Sequence, residues 1–285
     1  MSERVLVTGG TGFIGTHLAR ALAREGADVE VWSRATVDVR DRAAVAAALA
    51  ARPPSRIFHL AGVRVMGNSA ANLATMFETH VIGTLNVAQA AASARIVVVG
   101  SGEEYGRGPV PFREAQVAEA RTAYAVSRLA TTLACLSLAT PRICVARLAV
   151  VYGPDQAGEM FIPSLMKACS EGKPFSMTSG EQTRDFLYVD DAVEALLALS
   201  RSDDAAGKVV NVGSGIERTV REAAELAARL WGPAADLRIG AIPSRPGEAS
   251  RYVCAIDQIH ELTGWRPRVS LDEGLARTIA WWRER

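Results

Sequence analysis

Net charge is almost missing from this 285-residue chain: 32 lysines and arginines stand against 31 acidic residues, a formal +1. With no basic run to compensate, a nucleic-acid partner has no electrostatic footing. Cysteine and histidine are scarce and scattered. Cys135, Cys144, Cys169 and Cys254 form no C-x-x-C pair and lie mostly in apolar surroundings, so reduced core thiols are expected. His17, His59, His80 and His260 are too dispersed to suggest a metal, and none is expected. No apolar run approaches the length of a membrane span, and the first strand begins without a charged leader or cleavage site. No membrane partner and a cytoplasmic location follow as expectations. Repeats, low-complexity tracts and Pro/Gly-rich linkers are missing too. What remains is 49% hydrophobic and 22% charged, a globular composition long enough for one large α/β domain or a main domain with a smaller cap.

What the chain does have is glycine at one joint. Val5 to Thr8 read as a buried strand, and Ile14, Leu18, Ala21 and Leu22 recur at i, i+4, i+7 and i+8 of a helix. Gly10, Gly12 and Gly15 between them satisfy G-x-G-x-x-G, which permits a tight turn, close approach of a pyrophosphate to backbone N–H groups, and close helix packing. The anion then rests on the helix N-terminus. Gly9, Gly12, Phe13, Ile14 and Gly15 are the candidate residues of that cradle. Gly26 reads as a helix C-cap, and Asp28 to Trp32 read as a second strand. An NAD site places a carboxylate just after that strand, whereas this chain offers Ser33 and Arg34. A guanidinium pairs with a 2′-phosphate that a carboxylate repels, so NADP(H) is the expected cofactor.

Further on, Asp38 to Asp41 lead into an Ala-rich helix, Ile57 to Gly62 form a strand running into a loop, and a helical stretch spans 72–92 before a fourth strand over 95–99. This alternation predicts right-handed βαβ units, a parallel sheet covered on both faces, and ligands at the carboxyl ends of the strands. Two segments leaving those ends attract attention. Gly100 to Gly106 contains Ser101, and Tyr124 to Arg128 places a phenol and a cation four apart on one helical face.

Taken in order, these segments resemble the extended short-chain dehydrogenase/reductase family of nucleotide-sugar epimerases, dehydratases and reductases. Thr8 to Gly15 match T-G-x-x-G-x-x-G, Asp38-Val39 the adenine-contacting pair, and His59-Leu60-Ala61 the H-x-A strand end. Ser101 with Tyr105-Gly106 matches S-x-x-x-Y-G, and Arg147 with Tyr152-Gly153-Pro154 matches R-x-x-x-x-Y-G-P. Arg184-Asp185-Phe186 with Val189 and Asp191, then Asn211 to Gly215, Arg245 to Glu248 and Gly264 to Pro267, complete the series.

The resemblance implies an α/β fold, a Rossmann-type doubly wound parallel sheet with a small C-terminal substrate-binding cap. Residues 1–152 would form the NADP-binding core, with some later segments returning to it, and 153–285 mainly the cap. Tyr124 would be the acid/base and Ser101 the group that orients the carbonyl or hydroxyl. Asp38, Val39, Leu60, Ala61, His80, Tyr124 and Arg128 would touch the cofactor, and Arg184 and Arg245 the substrate diphosphate, with Ser101 and Glu103 also on the substrate side. Relatives that pair through a helix bundle make a homodimer an expectation.

The departures are informative. Arg128 stands where the family has its catalytic lysine, and a planar fork does not replace an ammonium conservatively. His80 stands where N-x-x-G-T has asparagine, and Val150 where nucleotide-sugar members often carry an asparagine. Gly102-Glu103 replaces the Asp-Glu pair of the dehydratases. An NADPH-dependent ketoreductase is therefore expected, acting on a nucleotide-linked 4-keto-6-deoxysugar or on a natural-product ketone such as an aromatic polyketide. The alternatives are a nucleotide-sugar 4-epimerase and a non-catalytic NADP(H)-binding regulator; a regulator would need neither Ser101 nor Tyr124.

Overall fold

A computed structural model describes residues 2–91, 93–138, 142–156, 160–244 and 249–285. The chain opens with β1 (Arg4–Thr8), α1 (Phe13–Arg24), β2 (Asp28–Trp32), α2 (Arg42–Ala51) and β3 (Arg56–His59). Then come α3 (Ala70–Phe77), a π-helical turn (Glu78–Ile82), α4 (Gly83–Ala90), β4 (Arg95–Ser101), a 3₁₀ turn (Gly102–Tyr105) and α5 (Ala123–Ser137). The second half runs β5 (Ile143–Leu148), β6 (Val150–Tyr152), α6 (Phe161–Ser170), β7 (Phe175–Met177), β8 (Thr183–Tyr188) and α7 (Val189–Arg201). It ends with β9 (Val209–Val212), β10 (Glu217–Thr219), α8 (Val220–Trp231), β11 (Leu237–Ile239), α9 (Asp257–Thr263) and α10 (Leu271–Arg283).

Local chemistry sets these limits. Asp41 accepts from the amides of Ala43 and Ala44 at the start of α2, and Thr122 accepts from Ala125 at the start of α5. Thr219 and Glu222 form a reciprocal capping box at the start of α8, each side chain accepting from the other's amide. Gly26, with φ of +82°, takes the chain out of α1.

Six parallel strands make the main sheet in the order β2-β1-β3-β4-β5-β9. The order reverses between β1 and β3, which opens a crevice at their carboxyl ends. Alternate residues of each strand feed opposite faces. Leu6, Ile57, Ile96 and Val98 pack with Val45, Leu49 and Val87 on one face. Val5, Val7, Phe58 and Val97 pack with Leu18, Leu22 and Leu196 on the other. That second face continues without a break into Tyr152, Leu165, Phe186, Ala223 and Leu275, so the later elements grow from the same core. They add a three-stranded sheet, β10-β8-β6, and a two-stranded one, β11-β7, while β9 returns to the main sheet.

Three boundaries differ from the sequence expectation. β3 stops at His59, leaving Leu60 to Gly62 as loop. β4 runs two residues past Val99 because Gly100 and Ser101 still pair with Arg147 and Leu148 of β5. The long helix is interrupted by the π-helical turn between α3 and α4, and Ala92 lies outside the described residues. All four cysteines are buried and unbridged. Among the described residues, no helix is long and apolar enough to cross a membrane.

Candidate active site

The glycine loop between β1 and α1 is pressed against the loop after β3. At Gly9, with φ of +67°, a Cβ would lie 2.8 Å from the carbonyl carbon of Leu60 and from the amide of Ala61. At Gly15 it would lie 2.4 Å from the Gly9 carbonyl oxygen, which explains the close seating of α1. Gly12 is the N-cap and brings no side chain to the first-turn amides of α1, so they stay available to an anion.

At the carboxyl end of β2, Ser33 and Thr36 close a turn that leaves Arg34 exposed. Among the described residues no carboxylate forms an ion pair with Arg34, whereas Asp38 is taken by Arg40 at 2.6 Å. The hydrogen bonds from Arg40 hold the Asp38 carboxyl below its ordinary range. Val39 is buried against Gly83. Bare amides for the pyrophosphate and, for the 2′-phosphate, a guanidinium in no ion pair among the described residues fit a 2′-phosphorylated dinucleotide.

The reacting groups come from β4 and α5. Ser101 ends β4 and caps the 3₁₀ turn: its Oγ accepts from the Glu103 amide at 3.2 Å, and Glu104 accepts from the Ser101 amide at 2.9 Å. Glu104 is wholly buried and also accepts from Thr132 and Arg147, which anchors the turn. Tyr124 sits half-buried in the first turn of α5, and Arg128 lies one turn on with its Cζ 5.4 Å from the phenol ring centroid. Arg128 is buried and gives Nη1 to the Val99 carbonyl at 3.0 Å, while its buried Nε has no hydrogen-bond partner among the described residues. Its Nη2 fills the space beside Gly62, where a Cβ would be only 2.2 Å away.

Two neutral imidazoles flank that cation. The amide of Val63 donates to Nε2 of His80 at 3.0 Å, so the ring proton is assigned to Nδ1 and donated to Ser127 Oγ at 2.8 Å. Ser127 in turn donates to the Tyr124 carbonyl at 2.8 Å. Burial, reinforced by the charge of Arg128, pushes His80 down to about 3. His59, bonded to Thr8 Oγ1 at 2.8 Å, is likewise pushed down to about 3. Neither imidazole neutralises Arg128, and among the described residues no carboxylate pairs with it. A phenolate or a bound anionic group is the natural complement of this buried charge.

Sequence reasoning missed Arg64, in the loop after β3. Its Cζ lies 4.5 Å from the Tyr124 ring centroid, and its guanidinium pairs with Glu103 at 2.7 Å. Burial opposes the charge of Arg64, but Glu103 and the phenol outweigh it and raise its pKa. The available signal was a lone cation in the apolar run Val63 to Met66, just past the carboxyl end of a strand. Glu103, expected on the substrate side, is thus engaged in an ion pair.

Arg184 belongs to the other wall, in β8. It is half-buried and donates to the carbonyls of Thr183 at 2.6 Å and Ala249 at 3.0 Å. Its neighbour Asp185 is buried and accepts from the backbone of Ser214, Gly215 and Cys254, a structural role. Arg245 lies outside the described residues. Among the described residues no group of side chains has the makings of a metal site.

Comparison with known proteins adds to this geometry. A family model described as the NAD dependent epimerase/dehydratase family matches residues 5–213. A GDP-6-deoxy-D-mannose reductase of Pseudomonas aeruginosa is 30% identical over 306 residues, spanning 100% of this chain and 99% of the relative. A UDP-N-acetyl-alpha-D-glucosaminuronate decarboxylase of Bacillus cytotoxicus is 26% identical over 327 residues, with 100% and 99% coverage. Among solved structures, RMD from Pseudomonas aeruginosa complexed with NADPH superposes with a TM-score of 0.88 at 27% identity, covering 99% of each chain.

Proposed function

The chain belongs to the NAD dependent epimerase/dehydratase family, and within it we propose an NADPH-dependent reductase of a 4-keto group on a nucleotide-linked 6-deoxysugar. The observation that carries this reading is Arg34, an exposed guanidinium without an ion pair among the described residues, just past the end of β2. Epimerases cycle a retained NAD, whereas net reduction draws on a cofactor supplied reduced, in cells mostly NADPH. The NADPH-bound neighbour and the reductase relative support the same choice. The engagement of Glu103 by Arg64 argues against dehydration, which needs a free acid/base pair at that turn.

NADPH held by the Gly9 to Gly15 loop, Arg34, Asp38, Val39, Leu60 and Ala61 would supply hydride. The chain's own groups handle the proton. Tyr124 donates its phenolic proton to the substrate carbonyl oxygen. Ser101 already accepts from the Glu103 amide, so its hydroxyl proton is free to orient that oxygen. Arg128 stabilises the phenolate left on Tyr124. His80, through Ser127, holds the backbone turn that carries Tyr124. Arg184 in β8 and, by the family resemblance, Arg245 would meet the diphosphate, with residues 1–152 and the returning β9 as the cofactor-binding core and 153–285 mainly the cap. Pairing of two copies through α5, whose Leu133 and Leu136 are exposed, belongs to the same reading.

Half-buried Val150, where related sugar enzymes carry an asparagine, favours one competing substrate, an uncharged aromatic ketone. NADPH oxidation by purified protein, followed with nucleotide-linked 4-keto-6-deoxysugars and with aromatic polyketide ketones, separates the two. Turnover of the sugar is expected. Turnover of neither ends the reductase proposal, and interconversion of C4 epimers without NADPH consumption replaces it with an epimerase.

A further inference from the structure

Two guanidiniums attend one phenol. Arg128 is fixed from below by the Val99 carbonyl, with its Cζ 5.4 Å from the Tyr124 ring centroid. Arg64 approaches closer, at 4.5 Å, from an unrelated loop. It is held there by a two-pronged contact with Glu103, Nη1 to Oε1 at 2.7 Å and Nη2 to Oε2 at 3.4 Å. Glu103 lies in the turn capped by Ser101, so this brace ties the wall carrying Ser101 to the wall carrying Tyr124.

A carboxylate gripped in this way has its lone pairs turned to a guanidinium. The cation it holds lies over an aromatic ring. Such a cation is attracted to the face of a neutral phenol, and more strongly once proton loss has put negative charge on the ring. We infer that Arg64, braced by Glu103, is a second positioning cation for Tyr124, sharing the task of the residue four positions after the tyrosine. As hydride reaches the substrate carbonyl carbon, the phenol O–H breaks and its proton forms the new alcohol O–H. The electron pair stays on Tyr124, where both guanidiniums face it until solvent restores the proton. The direction of transfer rests on the reductase reading, whereas the role of Arg64 toward Tyr124 does not.

The test therefore begins without substrate. Burial pushes Tyr105, Tyr152, Tyr188 and Tyr252 upward, so an ultraviolet tyrosinate titration separates the component that Tyr124→Phe removes. Arg64→Met is expected to move that component up by about one pH unit, the equivalent of about a tenfold change in equilibrium. Arg64→Lys, which keeps the charge, leaves it near its original position, and both variants still bind NADPH. With an accepted keto sugar, Arg64→Met lowers kcat about tenfold while KM changes less than about threefold, and the alkaline limb of the reduction profile moves upward with it. A component unmoved by Arg64→Met, or moved equally by Arg64→Lys, overturns the inference. The spectral shift in a protein that reduces no keto sugar upholds it and sinks only the reductase reading.

Discussion

At the scale of single residues, the exchange of lysine for Arg128 has a visible partner. The guanidinium fits because Gly62 has no side chain: a methyl there would meet Nη2 at 2.2 Å and Cζ at 3.2 Å. Gly62→Ala is therefore expected to displace Arg128 from the Val99 carbonyl and lower kcat by about tenfold or more, since misplaced reacting groups lose rate steeply. The shorter ammonium of Arg128→Lys leaves room for the methyl, so the double variant recovers much of that loss. A double-mutant cycle that adds without coupling would show that the two positions are independent. Arg34 has a separate prediction. Arg34→Asp should raise the KM for NADPH by about tenfold or more, the size of a lost charge-assisted hydrogen bond, while that for NADH changes little. Steady-state rates with both coenzymes check it. The glycine turn and the four-residue spacing of Tyr124 and Arg128 were legible in the sequence because each is a pattern within one short segment, although their contacts with Leu60, Ala61, Gly62 and Val99 were not. The Arg64–Glu103 pair was not, since 39 residues separate groups that only the parallel sheet brings together.

Among the elements, the π-helical turn between α3 and α4 carries the site furthest. It sets His80 in line with Val63 and Ser127, where the ring is buried and neutral. His80 and His59 are held at about 3, whereas an exposed histidine in the unfolded chain titrates near 6.5. From about pH 6.5 down to about 3 the unfolded state therefore binds more protons, and stability falls as pH falls by up to about 1.4 kcal/mol per pH unit for each histidine. Urea unfolding at pH 7 and pH 5 should show this slope, and His80→Gln should make it shallower. An equal slope in the variant would assign the pH dependence to other groups. Strand and helix identities were readable from the periods of Val5 to Leu22 and of 95–99. The π-helical turn was not, because one extra residue in a helical turn leaves hydrophobic spacing on either side intact. β4 also ran longer than its apolar pattern, since pairing with Arg147 and Leu148 extends it through Gly100 and Ser101.

For the molecule as a whole, the sequence shows no linker, and the apolar cluster on one face of the main sheet continues into the later elements. The placement of the later strands was beyond the sequence, because β9 joins the main sheet only after β6, β7 and β8 have entered two smaller sheets. A bound cofactor should stabilise this assembly by mass action, about 2.7 kcal/mol at a hundredfold excess over Kd. For a chain of this size that corresponds to a rise in Tm of about 5 °C. Thermal scans with NADPH and NADH should show the larger rise with NADPH. Equal shifts would remove the role assigned to Arg34.

The unbroken apolar face that runs from Val5 and Leu18 through Phe186 to Leu275 also decides how this protein comes apart. A fragment ending at Tyr152 would leave half of that interior to water, so it should aggregate rather than fold, and proteolysis in the native state should clip loops without releasing a lobe. Access to the crevice then belongs to side chains and short loops at its rim, not to a swinging half of the molecule.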